Sequence, residues 1–417
     1  MTGSKGHVTI IGAGIVGVSC AAFLQREGFG VTVVDRLEPG LGTSFGNAGS
    51  VSPSAILPVA MPGVMKKIPG WLMDPLGPLT VRWSYLPWLA PWLWRFFAAS
   101  TPARVEQISR ELSSLVAPAG EAHKALMKAH RIEGIVKPLG WLKVYSGEAS
   151  FRSTLEERLV MQKLGVNLQL LNQDELRQLE PGLAPNFTHG AFQPDNLFVT
   201  SPVKLAEAYA EAFTRLGGSI LAEKAVRFER DGNRVSRVVT DLAIHEAEHV
   251  VICAGAWSGR VCEMLGVRVP LDTERGYHLN LVQREDGPKL TRPVVIGDHG
   301  FVLAPMQDGI RLTSGVEFAG VDAAPDFTRI RRMLPLAQKA LPGLSANVTR
   351  EWLGHRPSTP DSKPVIGSAP GLENVFLGFG HGHIGLTLAA RTADLLAARI
   401  AGRPADIDLT PFAAGRF

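Results

Sequence analysis

Cysteine is scarce in this sequence, and its spacing carries no pattern. The 417 residues include three cysteines, Cys20, Cys253 and Cys262. Their odd number and wide separation argue against a disulfide framework and favour a reducing compartment. No carboxylate or cysteine stands at ligand spacing from the histidines, so we predict no metal site.

Long apolar runs and a strong net charge are also missing. Outside residues 8–24, no uninterrupted stretch reaches the ~20 apolar residues that a membrane-spanning helix needs. The run at 8–24 lacks a cleavage site and a strongly cationic flank, so we expect no secretion signal. The 43 basic and 39 acidic residues are interspersed, which gives a net charge of +4 and no basic stripe for nucleic acid.

These absences predict a cytoplasmic protein with no nucleic-acid partner. The small positive excess fits anionic ligands and a weak, peripheral contact with the inner membrane equally well. What the sequence does have is 45% hydrophobic residues in a chain longer than one ordinary core. We therefore expect two domains or one large composite.

The strongest local signal is a glycine-rich turn near the N-terminus. An apolar strand at residues 8–11 precedes a helical apolar run at 15–24, and the glycines between fit G-x-G-x-x-G. Gly12 permits a tight turn, Gly14 lets a backbone approach a pyrophosphate, and Gly17 lets the helix pack closely on the strand. The helix N-terminus then favours an anion without any basic side chain.

An acidic residue completes this motif. A second strand at 31–34 ends at Asp35, 18 residues past Gly17, where a carboxylate suits a pair of ribose hydroxyls. Strand, turn, helix and acid together predict dinucleotide binding. The motif does not separate FAD from NAD, and Arg36 would even suit a 2′-phosphate.

A tryptophan-rich segment follows at residues 56–99. It holds five of the eight tryptophans and seven prolines. The repeated prolines predict short helices and turns, and the large aromatic side chains predict anchors buried under loops. A lid or a membrane-contact surface, with Arg82 and Arg95 beside the aromatic rings, is the alternative.

The remaining pattern predicts a second αβ unit of the nucleotide domain and then a second sheet. Residues 271–318 alternate apolar and polar side chains, which is typical of an antiparallel sheet. The other predicted elements are a helix from Val203 to Leu216 with Pro202 in its first turn, strands at 219–228, 234–240 and 248–254, a helix at 327–340 and a final helix at about 384–401.

Several motifs, taken in order, resemble the glycine oxidase and D-amino-acid oxidase superfamily. Bacterial D-amino-acid dehydrogenases and glyphosate oxidoreductase are the most similar members. The resemblance runs nearly end to end and rests on GAGIVG at 12–17, SFGNAG at 44–49, the region 61–79, VICAGAWS at 251–258, LDTERGYH at 271–278, GHRPSTPDSKPVIG at 354–367 and GFGHGHIG at 378–385.

The resemblance implies an α/β fold with two domains. A Rossmann-like FAD-binding domain would comprise residues 1–55, 195–270 and 350–417. A mainly antiparallel substrate domain, as in D-amino-acid oxidase, would comprise residues 56–194 and 271–349.

The resemblance also selects FAD over NAD. Relatives of the sarcosine-oxidase type attach flavin through a cysteine near the C-terminal motif, and this chain has none after Cys262, so we expect non-covalent FAD. The helix that follows the GHGHIG loop would stabilise negative charge on reduced flavin. The implied FAD-binding residues are Gly12, Gly14, Ile15, Val16, Gly17, Asp35, Arg36, Thr43, Ser44, Gly46, Asn47, Ala48, Gly49, Val226, Ala254, Gly255, Trp257, Gly354, Gly380, His381, Gly382, His383, Ile384 and Gly385.

For the substrate, the resemblance points to Arg356. Its guanidinium would hold the substrate carboxylate through two parallel hydrogen bonds, with help from Tyr277. His278 and His383 are further candidates in the flavin shell or the substrate pocket.

The implied reaction is FAD-dependent oxidative deamination of a D-amino acid to an imino acid, then to a 2-oxo acid and ammonia. One alternative is the same chemistry on a secondary amine, such as an N-substituted glycine, a glyphosate-like compound or a cyclic D-imino acid like D-hydroxyproline. Another is a flavin-bearing redox subunit without turnover. A quinone or another respiratory acceptor is the expected electron partner.

Overall fold

The computed structural model describes residues 5–286 and 289–417. Its strands are β1 (His7–Ile11), β2 (Gly30–Asp35), β3 (Ser50–Val51), β4 (Leu79–Val81), β5 (Val136–Lys137), β6 (Trp141–Tyr145), β7 (Gln169–Asn172), β8 (His189–Gln193), β9 (Leu197–Val199), β10 (Ser219–Ala222), β11 (Ala225–Asp231), β12 (Arg234–Thr240), β13 (Ile244–Glu246), β14 (His249–Ile252), β15 (Asp272–Gln283), β16 (Val294–Ile296), β17 (Phe301–Met306), β18 (Gly309–Phe318), β19 (Leu344–Ser358), β20 (Val365–Ser368) and β21 (Val375–Phe379).

Its α-helices are α1 (Ile15–Arg26), α2 (Val64–Met73), α3 (Leu86–Ala99), α4 (Pro102–Val116), α5 (Ala119–His130), α6 (Glu148–Arg152), α7 (Leu155–Lys163), α8 (Gln173–Leu179), α9 (Pro202–Arg215), α10 (Ser258–Met264), α11 (Thr328–Ala340) and α12 (Gly385–Ile400).

The N-terminal strand lies in the middle of a six-stranded sheet. The strand order is β10-β2-β1-β14-β21-β20, and only the edge strand β20 runs antiparallel to its neighbour. The chain leaves β1 through α1 towards β2, whereas β14 lies on the other side of β1. This reversal of direction opens a crevice at the carboxyl ends of β1 and β14, which is where such sheets bind nucleotides. The predicted Rossmann-like architecture is confirmed.

A second, larger sheet forms the other half of the molecule. Its order is β19-β15-β18-β17-β16-β6-β8-β7, with β4 paired to β18. Its pairs are antiparallel except β16 with β6 and β18 with β4. Helix α11 packs on β15, β18 and β19 over a core that includes Leu279, Leu312 and Met333. The predicted antiparallel sheet is confirmed, although the predicted strand at 219–228 divides into β10 and β11, which belong to different sheets.

Two parts of the chain connect the six-stranded sheet with the other half of the molecule. Residues 350–358 continue β19 of the large sheet, and helices α4 and α5 pack on α12 beside the six-stranded sheet. In α5, the Nε2–H of His123 donates to the Leu386 carbonyl at 2.8 Å, and Nδ1 accepts from the Tyr209 hydroxyl at 3.0 Å. Burial lowers the pKa of His123 to about 4, so this anchor is neutral at neutral pH.

The tryptophan-rich segment is more regular and more exposed than predicted. Helix α3 runs for 14 residues through Pro91, whose ring faces solvent, so the expectation of short elements is wrong here. Trp92 is buried and stacks on Phe96 at 5.3 Å, but Trp88 and Trp94 are 78% and 77% exposed. The expected burial is therefore wrong for these two rings and for Trp83, which is 71% exposed.

A helical period explains this division. Positions 89, 92, 96 and 99 lie on the core side of α3, while positions 88, 91, 94 and 98 lie on the opposite side, and both sides are apolar. The sequence shows two apolar faces but not which of them is covered. In the described ranges, no helix combines the length and the apolar character needed to cross a bilayer.

Candidate active site

A cavity of about 1100 Å³ lies between the crevice of the six-stranded sheet and one face of the large sheet. Most of the predicted site residues line it. They are Gly12, Gly14, Ile15, Val16, Asp35, Arg36, Thr43, Ser44, Gly46, Asn47, Ala48, Ala254, Gly255, Trp257, Gly354, Arg356, His381, Gly382, His383, Ile384 and Gly385.

The three positions of the turn require glycine for different structural reasons. Gly12 has φ +114°, and a Cβ there would lie 2.4 Å from the Cys253 carbonyl oxygen. A Cβ at Gly17 would lie 1.8 Å from the Gly12 carbonyl oxygen. A Cβ at Gly14 would meet nothing closer than the Ser44 hydroxyl, at an ordinary 3.5 Å. The protein's own packing therefore requires the first and third glycines, whereas the second leaves room only for an occupant of the cavity.

Asp35 is held at the end of β2 by backbone amides. Its Oδ2 accepts from the Ala13 N–H at 2.7 Å and its Oδ1 from the Leu37 N–H at 3.0 Å. Each carboxylate oxygen retains a second lone pair. The residue can therefore accept hydrogen bonds from ribose hydroxyls while its orientation stays fixed.

The loop at 42–54 joins the two halves and forms one wall of the cavity. The Ser44 hydroxyl accepts from the Ile15 N–H at 3.0 Å, at the start of α1. The Thr43 hydroxyl donates to the His355 carbonyl at 2.8 Å, on the large sheet. These bonds place the loop across the crevice. The loop therefore connects the glycine turn of the six-stranded sheet with the cavity-facing residues of the large sheet.

Arg311 supports this loop and was missed by sequence reasoning. Its Nη1 donates to the Asn47 carbonyl at 2.7 Å and to the Phe45 carbonyl at 3.2 Å. Burial lowers the pKa of Arg311 to about 10. The available signal was a charged residue in a strand of mixed polarity, which does not tell where the side chain ends.

One face of the large sheet carries the other wall. Side chains alternate across a strand, so Thr313 and Gly315 of β18 and Gly354 and Arg356 of β19 all face the cavity. The Arg356 guanidinium crosses Gly276 of β15, where a Cβ would lie 2.4 Å from Nη2. Its Nη1 donates to the Gly315 carbonyl at 3.4 Å.

Arg356 is half-buried, and in the part of the chain that the structure describes no carboxylate lies within ion-pair distance of it. Burial lowers its pKa, and the Glu274 carboxylate opposes that shift. A desolvated cation without an ion-pair partner, aimed into a cavity, suits an anionic group of a ligand.

Tyr277 does not lie where the sequence interpretation placed it. It follows Gly276 by one position, so its side chain points to the opposite face of the sheet. Its hydroxyl donates to Glu317 Oε2 at 2.6 Å and accepts from the Asp326 N–H at 3.2 Å. Burial raises the pKa of Tyr277 to about 12. The structure therefore places the Tyr277 hydroxyl away from the cavity that Arg356 faces.

The three candidate histidines occupy different positions. His278 is buried under the ring of Trp352, with ring centroids 4.9 Å apart, and does not line the cavity. His381 is buried with its Nε2 at 2.9 Å from the Thr392 hydroxyl. His383 is open to the cavity. Burial lowers the pKa to about 3 for His278 and His381. For His383, which faces the cavity, desolvation by the cavity walls and then the Arg356 charge lower the pKa to about 4.

Four other predicted residues lie outside the lining. Gly17, Gly49 and Gly380 have backbone roles, since a Cβ at Gly49 would lie 2.3 Å from the Val199 carbonyl oxygen. Val226 is 41% exposed, although its neighbour Ala225 lines the cavity.

The comparisons with known proteins agree on family and fold. A profile of the family "FAD dependent oxidoreductase" matches residues 7–399. A D-amino-acid oxidase of Bradyrhizobium diazoefficiens is 37% identical over 421 residues, covering 99% of both chains. A D-amino acid dehydrogenase of Paramagnetospirillum magneticum is 32% identical and covers 98% of both.

Two solved structures share the fold. Glycine oxidase from Geobacillus kaustophilus superimposes with a TM-score of 0.75 at 21% identity, covering 98% of each chain. L-proline dehydrogenase from P. horikoshii superimposes with a TM-score of 0.77 at 18% identity, covering 99% of this chain and 98% of that one.

Proposed function

Because this chain belongs to the family of FAD-dependent oxidoreductases, we propose that it binds FAD without a covalent link and oxidatively deaminates D-amino acids. The observation that carries the substrate half of this proposal is Arg356, a half-buried guanidinium that faces the cavity without an ion-pair partner among the described residues. The relatives named D-amino-acid oxidase and D-amino acid dehydrogenase support the same substrate class.

Bound FAD would supply the two-electron oxidation. The residues of the chain would therefore position the substrate and stabilise the charges that develop during the reaction. Arg356 holds the α-carboxylate by a planar fork, which fixes the orientation of the α-carbon as well as its place. Gly276 leaves the space over β15 open for that fork, and the Gly315 carbonyl accepts a hydrogen bond from its Nη1. His383 is neutral at neutral pH and so does not repel the amino group. The N-terminus of α12, which starts at Gly385, directs its positive dipole end towards the cavity and favours developing negative charge.

The cysteines support non-covalent binding. Cys253 lines the cavity beside Gly12, and its thiol lies 4.0 Å from that of Cys20. The contact with Cys20 and burial raise the pKa of Cys253. A protonated, buried thiol is a poor nucleophile, so a link to flavin through this residue is not favoured.

Anaerobic bleaching of the flavin tests this function. Acid should release all flavin as FAD, and D-amino acids should reduce the bound flavin faster than L-amino acids or secondary amines do. Faster bleaching by secondary amines would show that these are the substrates, with the same flavin-dependent oxidation. A flavin that no amine bleaches would contradict the enzyme proposal. Peroxide formed in step with substrate loss, with no gain from added quinone, would identify oxygen as the acceptor.

We further propose that the acceptor is a membrane quinone and that the exposed side of α3 contacts anionic lipid. Trp88, Trp94 and Arg95 form this tryptophan face, and the exposed Trp83 lies in the turn just before α3. Residues 56–105 contain five basic residues and one acidic residue. The rest of the chain contains 38 basic and 38 acidic residues, so its formal charges cancel. The positive excess thus lies in the part of the sequence that carries the exposed rings, where Arg82 alone has a carboxylate partner among the described residues, Glu317 at 2.8 Å. Exposed rings with basic residues suit the headgroup region of an anionic bilayer.

Vesicle flotation tests the tryptophan face. The wild type should float with vesicles rich in phosphatidylglycerol, and the double variant Trp88→Ser/Trp94→Ser should bind about tenfold less or weaker still. The matched control Leu242→Ser/Ile244→Ser removes two exposed apolar side chains elsewhere, 74% and 59% exposed, and should float as the wild type does. Equal flotation of both variants would refute the lipid contact. The lipid contact would also be refuted if the wild type were a dimer and the tryptophan substitutions alone made it monomeric, since a second copy of the chain would then cover the face.

A further inference from the structure

A second arginine lines the cavity on the substrate side, far along the chain from Arg356. Arg158 lies on α7 and is only 6% exposed. Its guanidinium stacks on the Phe151 ring at 3.8 Å from the centroid. Its Nη1 donates to the Phe151 carbonyl at 2.7 Å and to the Thr154 hydroxyl at 2.6 Å. The stack and these two bonds fix the charged head in one orientation.

Arg158 has no counter-ion within the described ranges, and its Nε has no hydrogen-bond partner there. Other buried arginines do have a counter-ion. Arg275 pairs with Glu317 at 3.0 Å, and Arg391 pairs with Asp406 at 2.7 Å. Burying an unpaired cation is costly, so a position that keeps one beside a cavity is suited to an anion that enters from outside.

A lysine adds to the positive charge of the same wall. Lys143 of β6 faces the cavity, with its Nζ 3.7 Å from Glu157 Oε2. The wall therefore presents two cations, Lys143 and Arg158, and one carboxylate. We propose that this wall receives a second anionic group of the substrate, so that the enzyme prefers amino acids whose side chain ends in a carboxylate. This inference rests on the proposed amino-acid oxidation, with the α-carboxylate at Arg356.

The sheet provides a scale for the distance between the two arginines. The Arg356 guanidinium reaches Gly315 of β18, and Arg158 is tied through Thr154 to the Tyr145 hydroxyl, at 2.8 Å, on β6. Three strand spacings separate β18 from β6, which is about 14 Å. Each guanidinium–carboxylate pair takes up roughly 4 Å. A separation of this order leaves room for a dicarboxylic amino acid such as D-glutamate between the two guanidinium groups.

Turnover of D-glutamate and D-glutamine compares a charged side chain with its neutral isostere. The wild type should favour D-glutamate by about 30-fold or more in kcat/KM. Arg158→Met should remove most of that preference while D-glutamine turnover and FAD content change little, and Arg158→Lys should restore part of it. Arg152→Met removes a 76% exposed charge nearby and should keep the preference. An equal loss for both substrates in Arg158→Met, with the fold intact by thermal melting, would refute the proposal.

A binding measurement keeps this inference separate from the reaction. Glutarate and pentanoate differ by one carboxylate, carry no amino group and should perturb the absorbance of oxidised bound flavin. Glutarate should bind at least about tenfold more tightly than pentanoate, and Arg158→Met should abolish that difference. This result would support the second anion position even if no amino acid were oxidised. Equal affinities in the wild type would overturn it even if D-amino acids were good substrates.

Discussion

Replacing Arg356 by alanine is expected to lower kcat/KM for amino acids by 30-fold to several thousand-fold while FAD content stays at the wild-type level. In the proposed binding mode the lost contact is a charge-assisted pair with a desolvated carboxylate, which is worth roughly 2–5 kcal/mol. The side chain crosses Gly276 and bonds to the Gly315 carbonyl, on the large sheet, so the glycine turn that fits FAD is untouched. Arg356→Lys keeps the charge but loses the fork, and should recover only part of the activity.

Stopped-flow reduction separates the two parts of this loss. Because the fork also orients the α-carbon, flavin reduction at saturating substrate should slow as well as the apparent affinity weaken. An amine that lacks the carboxylate is the control, since it should be a poor substrate that the substitution hardly affects. If Arg356→Ala reduces its flavin at the wild-type rate with unchanged affinity, the α-carboxylate must lie elsewhere, and the wall of Lys143 and Arg158 becomes the next candidate.

Substituting Gly14 by valine is expected to abolish tight FAD binding without unfolding the protein. A Cβ at Gly14 meets no backbone and lies at an ordinary distance from the Ser44 hydroxyl, so it enters the space that the phosphates need. Displacing two hydrogen bonds to a charged phosphate is worth about 3 kcal/mol, or on the order of 100-fold in affinity. Fluorescence titration of the apoprotein with FAD measures the loss, and circular dichroism checks the fold.

Two other glycines provide the comparison. Gly17→Ala places a Cβ 1.8 Å from a backbone oxygen and should destabilise the apoprotein itself, in contrast to Gly14→Val. Gly147→Ala adds a methyl group in open space at an ordinary φ of −154° and should change neither property. FAD binding by Gly14→Val at wild-type affinity would mean that the cofactor phosphates lie away from the turn.

The glycine turn, the flanking strand and helix, and the acid at 35 could be predicted because each depends on contacts within about thirty residues. A Cβ at Gly17 would meet the Gly12 carbonyl oxygen within the motif, and the φ of +114° at Gly12 belongs to the turn itself, whereas the Cys253 carbonyl that also excludes a side chain at Gly12 comes from a distant segment. The antiparallel character of the large sheet was equally visible, since side-chain alternation belongs to a strand regardless of its partner. These features predicted a dinucleotide-binding α/β unit and an antiparallel sheet, whereas the choice of FAD and the division into domains came from the family resemblance.

The tertiary structure decided which side of each element faces the cavity and which distant residues come together there. Tyr277 and Arg356 stand in neighbouring motifs, but the register of β15 against β19 pairs Gly276 with Gly354 and so turns Tyr277 to the other face. The tryptophans of α3 show an apolar period on both sides, and only the packing of the helix reveals which side is left exposed.

Arg158 and Arg311 carried no motif at all. Each becomes part of the cavity or its support because segments more than a hundred residues apart meet there, as Arg311 does with Asn47. Residue chemistry and backbone geometry are local properties that a sequence displays directly. The side of an element that is covered, and the charge that is left without a partner, depend on which distant segments pack against it, and that is settled only when the whole chain has folded.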